Sequence, residues 1–208
     1  MKIKSPKVLN LIEYNLKDAS DENNFYGFIF SENTSDNIYI NDITIDSCIF
    51  KNIDFSNIEI SKVDLVDVIF ENCDLSNKSF DYKLISRVEF RNCKMLGTTF
   101  ISSSIKDVLI DNSMCKYINF TDAKMNNIII TSSDLSGMTF YETKIKNIEL
   151  IEVNFSECEI SNTNLNNVDF STCNISNIMI DNISLRGIVI DKFQSFDIVH
   201  LLGIKFKE

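Results

Sequence analysis

The sequence is poor in the residues that most catalytic sites need. It contains no tryptophan, one proline, one histidine and five glycines among 208 residues. It also lacks a GxGxxG loop, a GxxxxGK[ST] loop and a recognisable nucleophile elbow, and its six cysteines lack the paired CxxC spacing of a zinc site. We therefore predict that the protein is not an enzyme and that it has no catalytic residues, no metal and no cofactor. His200 is expected to belong to a terminal cap rather than to act as a base.

Long apolar segments are missing as well. No run of 18 apolar residues is present, and no signal-peptide-like apolar segment follows the amino-terminal Met-Lys-Ile-Lys-Ser-Pro. We expect a cytoplasmic protein without a membrane partner. The formal net charge of −10 disfavours direct binding to nucleic acid and favours attraction to basic protein surfaces, including those that hold DNA. Alternatively, the acidity only keeps the chain in solution.

A period of five residues dominates the rest of the chain. Every fifth residue from Ile40 to Ile190 is apolar, which gives 31 consecutive positions, here called centres, that include ten of the sixteen phenylalanines. An α-helix repeats every 3.6 residues and a strand every 2, so neither produces this pattern. Self-similarity at a fixed period is typical of a solenoid, and we predict that five residues form one side of a coil.

The positions around each centre predict the shape of the coil. The position two before the centre is mostly small or β-branched and includes five of the six cysteines, which we interpret as reduced, interior side chains. The position two after the centre contains twelve asparagines and three glycines. These residues tolerate positive φ, which predicts type II turns there and type I or irregular turns at the remaining corners. Four corners close a square of twenty residues, and nearly eight such coils give a rod roughly 37 Å long.

Two regions depart from the pattern. Lys78 and Lys83 occupy successive inward positions, where a buried ammonium is costly. Either their side chains reach the surface or the corner is distorted, and we favour distortion. Near the amino terminus, Asn33 and Ser35 interrupt the register and predict a loop after a partial first coil. Ser5 and Pro6 read as the start of a helix whose apolar face covers that coil; the face comprises Val8, Leu11, Ile12 and Leu16.

Several five-residue stretches resemble the consensus A(D/N)LXX of the pentapeptide-repeat proteins, for example Cys73-Asp74-Leu75-Ser76-Asn77. The resemblance implies an all-β fold, a right-handed quadrilateral β-helix that ends in a short helix. The tail is similar to that of the quinolone-resistance members, with matching residues at Gly187, Asp191, Gln194, Leu202, Gly203 and Ile204. This similarity implies that the tail caps the last coil and forms a homodimer. The expected dimer interface consists of Phe193, Phe196, Val199 and Leu201.

We expect three regions along the chain. Residues 1–35 form an amino-terminal cap with a partial first coil, residues 36–192 form the pentapeptide-repeat β-helix, and residues 193–208 form the carboxy-terminal helix and the dimerisation tail. Gly203 lies where a helix would stop.

Residues twenty apart share a side of the predicted square, which sorts the surface into candidate binding faces. One side, here called the acidic face, carries Asp42, Glu59, Asp81, Asp122, Glu142, Glu159 and Asp181. A second, the basic face, carries Lys106, Lys124, Lys144 and Lys146. A third, the apolar stripe, carries Ile49, Ile69, Leu109 and Ile129, with Ile151 and Val189 nearby.

These faces lead to two hypotheses about function. The resemblance to the quinolone-resistance proteins implies an acidic, DNA-mimicking rod that binds DNA gyrase or topoisomerase IV, both type II topoisomerases, and protects the enzyme from quinolones or related toxins. The acidic face would then be the contact surface. The second hypothesis is a protein-interaction scaffold that has no topoisomerase role and presents the apolar stripe to another partner. The stripe could equally consist of β-branched residues that only support strand stacking.

Overall fold

The computed structural model describes residues 1–201, 203 and 204, apart from the side chain of His200. Leu202 of the tail motif and residues 205–208 lie outside the described residues, and so does the His200 side chain that was assigned to the cap.

The described residues form thirteen strands and two short helices. All of the strand pairings are parallel, and they build one eight-stranded sheet in the order β1-β2-β4-β6-β7-β8-β9-β11, a three-stranded sheet β10-β12-β13 and a pair β3-β5. In chain order the elements are β1 (Ile12–Glu13), α1 (Leu16–Asp21), β2 (Phe28–Phe30), β3 (Ile38–Asn41), β4 (Thr44–Lys51), β5 (Ile58–Ser61), β6 (Asp64–Glu71), β7 (Leu84–Arg91), β8 (Ser104–Asp111), β9 (Lys124–Thr131), β10 (Thr139–Tyr141), β11 (Lys144–Ile151), β12 (Glu159–Ser161), β13 (Met179–Ile180) and α2 (Ser195–Leu201).

The coils stack with a displacement of twenty residues, as the period predicted. Phe50 pairs with Phe70, which pairs with Phe90, and isolated bridges such as Asp54 to Asp74 continue the same offset on another side. The fold is a parallel β-helix of about eight coils. The prediction from the five-residue period is confirmed.

The core is a set of stacked columns of the centre residues. The ring centroids of Phe50 and Phe70 lie 5.0 Å apart, those of Phe70 and Phe90 lie 5.2 Å apart, and these rings are nearly parallel. A second column on the opposite side includes Phe100 and Phe120, with centroids 5.4 Å apart. These rings are buried, and burying an aromatic side chain of this size stabilises a fold by about 3–5 kcal/mol relative to alanine.

Where the inward residue two before a centre is cysteine, serine or threonine, its side chain can also donate a hydrogen bond, which sequence reasoning missed. The Sγ atom of Cys48 donates to the carbonyl oxygen of Phe25 at 3.2 Å, and Oγ1 of Thr98 donates to that of Leu75 at 2.9 Å. All six cysteines are free and buried, and burial raises the pKa of Cys48 to about 11. The position therefore accommodates apolar β-branched side chains as well as cysteine, serine and threonine, which donate to a carbonyl oxygen of the preceding coil.

The corner prediction is wrong in its residue dependence. Positive φ is found at all but four of the 31 corner positions, whatever residue occupies them; Tyr82 has φ 61° and Arg87 has φ 55°. Asn57 conversely lacks positive φ, and its corner closes through a hydrogen bond from Ile58 N to Phe55 O at 2.9 Å. Each corner must bond to the corner above it, as Tyr82 N does to Ile101 O at 2.8 Å. This stacking outweighs local preference, although a left-handed conformation costs an L-residue about 1–2 kcal/mol.

The corners near Lys78 and Lys83 keep positive φ at Asn77 and Tyr82, so the expected corner distortion is wrong, but no backbone hydrogen bond among the described residues joins 78–82 to β5 of the preceding coil. Ser79 bridges to Thr99 with the ordinary offset. Both lysines are half-buried, and Nζ of Lys78 donates to the carbonyl oxygen of Ile58 at 2.9 Å. The other alternative applies to Lys78, because its aliphatic part packs inside while its ammonium group reaches a backbone acceptor.

The predicted helix at Ser5 and Pro6 is also wrong. Residues 1–9 have no regular secondary structure, and the first helix is α1, which begins ten residues later. The side chain of Asn15 caps α1 by accepting from the backbone N–H groups of Lys17 and Asp18 at 2.8 and 3.2 Å. The stronger helix start is therefore an asparagine cap.

Residues 1–9 instead follow the long axis of the rod. Lys7 N donates to Oδ1 of Asp67 at 2.9 Å and Lys4 N donates to Oδ1 of Asp107 at 3.4 Å, two coils further along. The amino group of Met1 contacts Oε2 of Glu149. These carboxylates satisfy backbone donors of the segment, which removes the need for a helix.

At the other end, Gln194 closes the last coil. It is buried, and its Nε2 donates to the carbonyl oxygens of Phe170 and Cys173 at 2.8 and 2.7 Å. Its Oε1 accepts from Asp191 N at 2.8 Å. One side chain therefore satisfies three backbone groups that no further coil can bind.

Replacement of Tyr82 tests how the corners form. Because asparagine tolerates positive φ better than tyrosine, Tyr82→Asn should raise the free energy of unfolding in urea by up to about 1 kcal/mol. The matched control is Tyr39→Asn on the same side, at a strand position without positive φ, which should lower it slightly. Equal losses in both variants would contradict the account of the corners.

Acidification tests the hydrogen bonds that Asp67 accepts from Arg87 and from the amino-terminal segment. Arg87 binds Asp67 through two hydrogen bonds of 2.6 and 2.7 Å, and this interaction together with Lys7 N lowers the pKa of Asp67. A lowered folded-state pKa contributes stability that is present above the ordinary value of 3.8 and is lost as the pH falls through the folded-state pKa. At pH 7, Asp67→Asn should cost about 2 kcal/mol in urea unfolding. The difference in unfolding free energy between the unmodified protein and this variant should shrink below pH 3.8. A difference that does not change with pH would contradict the lowered pKa of Asp67.

Candidate interaction faces

The structure brings the seven predicted acidic residues to one side of the rod. Glu59 lies on β5 and Glu159 on β12. Asp42, Glu142 and Asp181 follow β3, β10 and β13, and Asp81 and Asp122 lie at the equivalent corners of other coils. Glu59 pairs with Tyr39, and Glu159 pairs with Thr139 and Met179 in adjacent coils. Asp81 and Asp181 are half-buried, and the other five acidic residues are exposed.

The acidic face differs from the other sides in having no side-chain ion pair among the described residues. Among the residues described, every side-chain ion pair lies elsewhere: Arg87 with Asp67, Arg91 with Glu89, Lys94 with Asp74, Lys116 with Asp134, Lys51 with Glu71, and Lys17 with Asp21. The acidic face itself contains only Lys62 and Lys78, and the Lys78 ammonium is bound to a backbone carbonyl. Its negative charge is therefore largely uncompensated.

Three of the seven carboxylates also serve the rod. Asp81 accepts from Ile101 N at 2.7 Å, and Asp122 accepts from Oγ of Ser102 at 2.9 Å. Asp181 accepts from Asn162 N and Ser184 N at 2.9 and 2.7 Å; burial raises its pKa, but these bonds lower it by more. In contrast, Glu59 and Glu159 are exposed and accept no hydrogen bond from the described part of the chain. Like Asp42, which is also exposed, these two carboxylates are available to a partner.

Exposed tyrosines accompany the acids, and sequence reasoning missed them. Tyr39, Tyr82 and Tyr141 are 65%, 75% and 44% exposed and lie on the acidic face. Their numbers fall in the same twenty-residue register as the acids, so sorting aromatic as well as charged residues would have found them. Near the carboxy terminus, Tyr141 lines an open groove of about 670 Å³ together with Met179, Leu201, Glu159 and Asp181. Tyrosine suits such a surface because it offers apolar area and a polar hydroxyl.

The four lysines of the basic face also lie together. Lys106 is on β8, Lys124 on β9, and Lys144 and Lys146 on β11; all four are exposed. Opposite charges therefore occupy neighbouring sides of the rod.

The apolar stripe is less accessible than its sequence pattern indicated. Ile49, Ile69, Leu109 and Ile129 are all half-buried. Between Ile69 and Leu109 the same column contains Glu89, which is 3% exposed and contacts Arg91. Only the flanking Ile151 and Val189 are exposed.

The predicted dimer residues lie on or just before α2. Phe193 is 70% exposed, Phe196 55% and Leu201 40%, whereas Val199 is half-buried. Such large exposed apolar side chains at the end of a rod resemble an interface more than a solvated surface.

Among the described residues, no helix is long and apolar enough to cross a membrane, and no group of three or more histidine, cysteine, aspartate or glutamate side chains is arranged to hold a metal ion.

No curated protein matches the sequence significantly. Among solved structures, a trypsin-treated form of QnrB1, a plasmid-mediated fluoroquinolone resistance protein, is 17% identical with a TM-score of 0.36, and 95% of each chain is covered. HetL, a pentapeptide repeat protein involved in heterocyst differentiation regulation from the cyanobacterium Nostoc, is 11% identical with a TM-score of 0.29, covering 81% of this chain and 92% of HetL.

Two sequence families match the coils directly. The family described as "Pentapeptide repeat region" matches residues 43–120 and 63–135, and "Pentapeptide repeats (8 copies)" matches residues 148–187. Together they span well over half of the chain. With the twenty-residue register and the parallel β-helix described above, these matches show that the chain belongs to the pentapeptide-repeat proteins.

Proposed function

We propose that this protein is a non-enzymatic, acidic rod that occupies a DNA-holding surface of a type II topoisomerase, DNA gyrase or topoisomerase IV, and so protects the enzyme from quinolones or related toxins. The observation that supports this role is the uncompensated charge of the acidic face. Some carboxylates on the other sides, such as Asp67 and Asp74, form ion pairs with cations of the rod, whereas Glu59 and Glu159 have no such partners among the described residues. A basic groove that normally holds phosphates would supply them.

The dimensions of the face define how good a DNA mimic it is. Asp42 and Asp181 are separated by about seven coils, or roughly 34 Å at the spacing of parallel strands. Seven carboxylates over that length give one charge per roughly 5 Å, compared with one per roughly 1.7 Å for both strands of duplex DNA. The rod therefore replaces only part of the charge of DNA. Tyr39, Tyr82 and Tyr141 would supply contact area that does not depend on charge.

The tail would double the length of this surface. A homodimer formed through Phe193, Phe196, Val199 and Leu201 places two rods end to end, because α2 lies at the terminus of the coil stack. Two rods of roughly 37 Å each would offer an acidic path long enough to follow an extended DNA-binding groove.

Charge reversal on the acidic face tests the topoisomerase role. In a gyrase supercoiling assay with a quinolone, the unmodified protein should restore supercoiling, and Glu59→Lys combined with Glu159→Lys should reduce its potency at least tenfold. The control, Glu152→Lys combined with Glu157→Lys, makes the same change of net charge with exposed residues on other sides and should retain potency. If the unmodified protein neither protects nor inhibits gyrase, the proposal is refuted. Equal losses of potency in both double variants would refute the assignment of the acidic face as the contact surface.

The dimer is tested separately by sedimentation velocity. At micromolar concentration the unmodified protein should sediment as a dimer, and Phe193→Asp should give a monomer because a carboxylate would be buried at an apolar interface. Tyr39→Asp, an equally exposed aromatic at the other end of the rod, should remain dimeric. A monomeric unmodified protein would contradict the assignment of the tail.

A further inference from the structure

The ladder of backbone hydrogen bonds is interrupted at two places inside the described rod: after β5, where Nζ of Lys78 binds Ile58 O, and after β11. The strand β11 (Lys144–Ile151) pairs with β9 on one edge, and it is the last strand of the eight-stranded sheet. The segment 164–171, which lies twenty residues further along and should cover its other edge, forms no strand. An interior strand of the solenoid thus has an open edge.

The missing bonds can be identified by comparison with the preceding coils. Lys124 N donates to Ser103 O, and Lys144 N donates to Ala123 O, both at 2.8 Å. The next bond of this series, from Asn164 N to Thr143 O, is absent, and among the described residues no backbone bond joins 144–151 to 164–171. On another side the same two coils remain paired, as Thr139 and Tyr141 are with Glu159 and Ser161. The gap between the coils is therefore a cleft limited to part of the circumference.

A change of corner shape explains the cleft. In β4, β6, β7, β8, β9 and β11 the strand continues through the corner position, for example through Asn127 and Asn147. At the next coil the corner becomes a tight turn, with Val168 N bonded to Leu165 O at 2.9 Å and Asn166 N bonded to Oδ1 of Asn164 at 3.0 Å. A tight turn does not follow the path of a continuous strand, so the two coils separate there.

The cleft exposes core side chains. Ile145 and Ile148 are half-buried, although the preceding residues in their columns, Met125 and Ile128, are 2% and 0% exposed. Two adjoining cavities of about 450 and 520 Å³ both reach Ile145 and Asn164. The second cavity is also lined by Met1, Ile148 and Val168.

The charge around the cleft has one sign on the basic face. Lys144 and Lys146 lie on β11 at the cleft. Lys124 lies one coil earlier on β9, and Arg186 lies one coil beyond the segment 164–171. The segments of this face at 123–127, 143–147, 163–167 and 183–187 contain no carboxylate. The cavity of about 450 Å³ is also lined by Asp122 and Glu142 of the acidic face. Charge complementarity therefore favours an acidic occupant only along residues 144–147 of the edge.

We propose that this cleft binds an extended, acidic peptide segment of a partner protein by β-strand addition to the open edge of β11. Backbone groups of the peptide would complete the interrupted ladder, since the edge offers unpaired N–H and C=O groups in a row. Alternate side chains of a strand point to opposite faces, so apolar side chains of the peptide contact Ile145 and Ile148 while acidic ones lie beside Lys144 and Lys146. The site is separate from the acidic face and does not depend on topoisomerase binding.

Hydrogen exchange on the full-length protein tests whether the edge is open. In the free protein the backbone amides of Ile145 and Asn147 should exchange at least tenfold faster than those of Met125 and Asn127, which hold the same positions one coil earlier. Saturation with an acetylated and amidated peptide, Asp-Ile-Asp-Ile-Asp-Ile, should slow exchange at Ile145 and Asn147. Equal protection of the two coils in the free protein would overturn the proposal.

Binding of the labelled peptide, followed by fluorescence anisotropy, tests the chemistry of the occupant. Lys144→Glu combined with Lys146→Glu should weaken binding at least tenfold, whereas Lys106→Glu combined with Lys116→Glu, which makes the same charge change away from the cleft, should not. A peptide with N-methylated backbone amides should bind at least tenfold more weakly than the parent, because it cannot donate to β11. Equal affinity for a Lys-Ile-Lys-Ile-Lys-Ile peptide, or no loss on N-methylation, would overturn the proposal.

Discussion

The parallel backbone ladder between coils is the constraint on which the rest of the molecule depends. Each coil must present its N–H and C=O groups in the register of its neighbours, so residues twenty apart are forced into columns. Inside, these columns become stacks such as Phe50, Phe70 and Phe90. Outside, the same columns collect charge, which is why Glu59 and Glu159 share a side although they are a hundred residues apart in sequence. The ladder thus converts a linear period into a surface pattern.

The period allowed the fold and the grouping of the charged faces to be predicted from the sequence, because both follow from counting. The features that were predicted wrongly depend on competition between interactions. Tyr82 adopts positive φ because bonding to the next corner outweighs its own preference. Lys78 enters an inward position because its ammonium group reaches Ile58 O. The helix expected at Ser5 loses to contacts with Asp67 and Asp107, which are more than fifty residues away and have no local signature.

The acidic face is an unfavourable arrangement for the isolated rod. Asp122 and Glu142 occupy successive corners of one column, about 5 Å apart, and neither forms an ion pair among the described residues. Two like charges at that distance repel by about 1 kcal/mol even in water. On other sides the equivalent problem is solved within the rod, as Arg87 does for Asp67 and Lys94 for Asp74. A face that keeps its repulsion gains the most from a basic partner, which is the physical basis of the proposed role.

The cleft at β11 shows a second way in which the ladder can produce a binding site. A solenoid usually exposes strand edges only at its two ends, and here Gln194 closes one of them by bonding to Phe170 O and Cys173 O. Between 144–151 and 164–171 the edge is open without any insertion in the sequence, since the five-residue period continues through Ile145 and Leu165. A change of turn shape at a single corner is sufficient to separate two coils. Recognition through backbone groups can therefore arise in such a rod while its register, and hence its charged faces, remain unchanged.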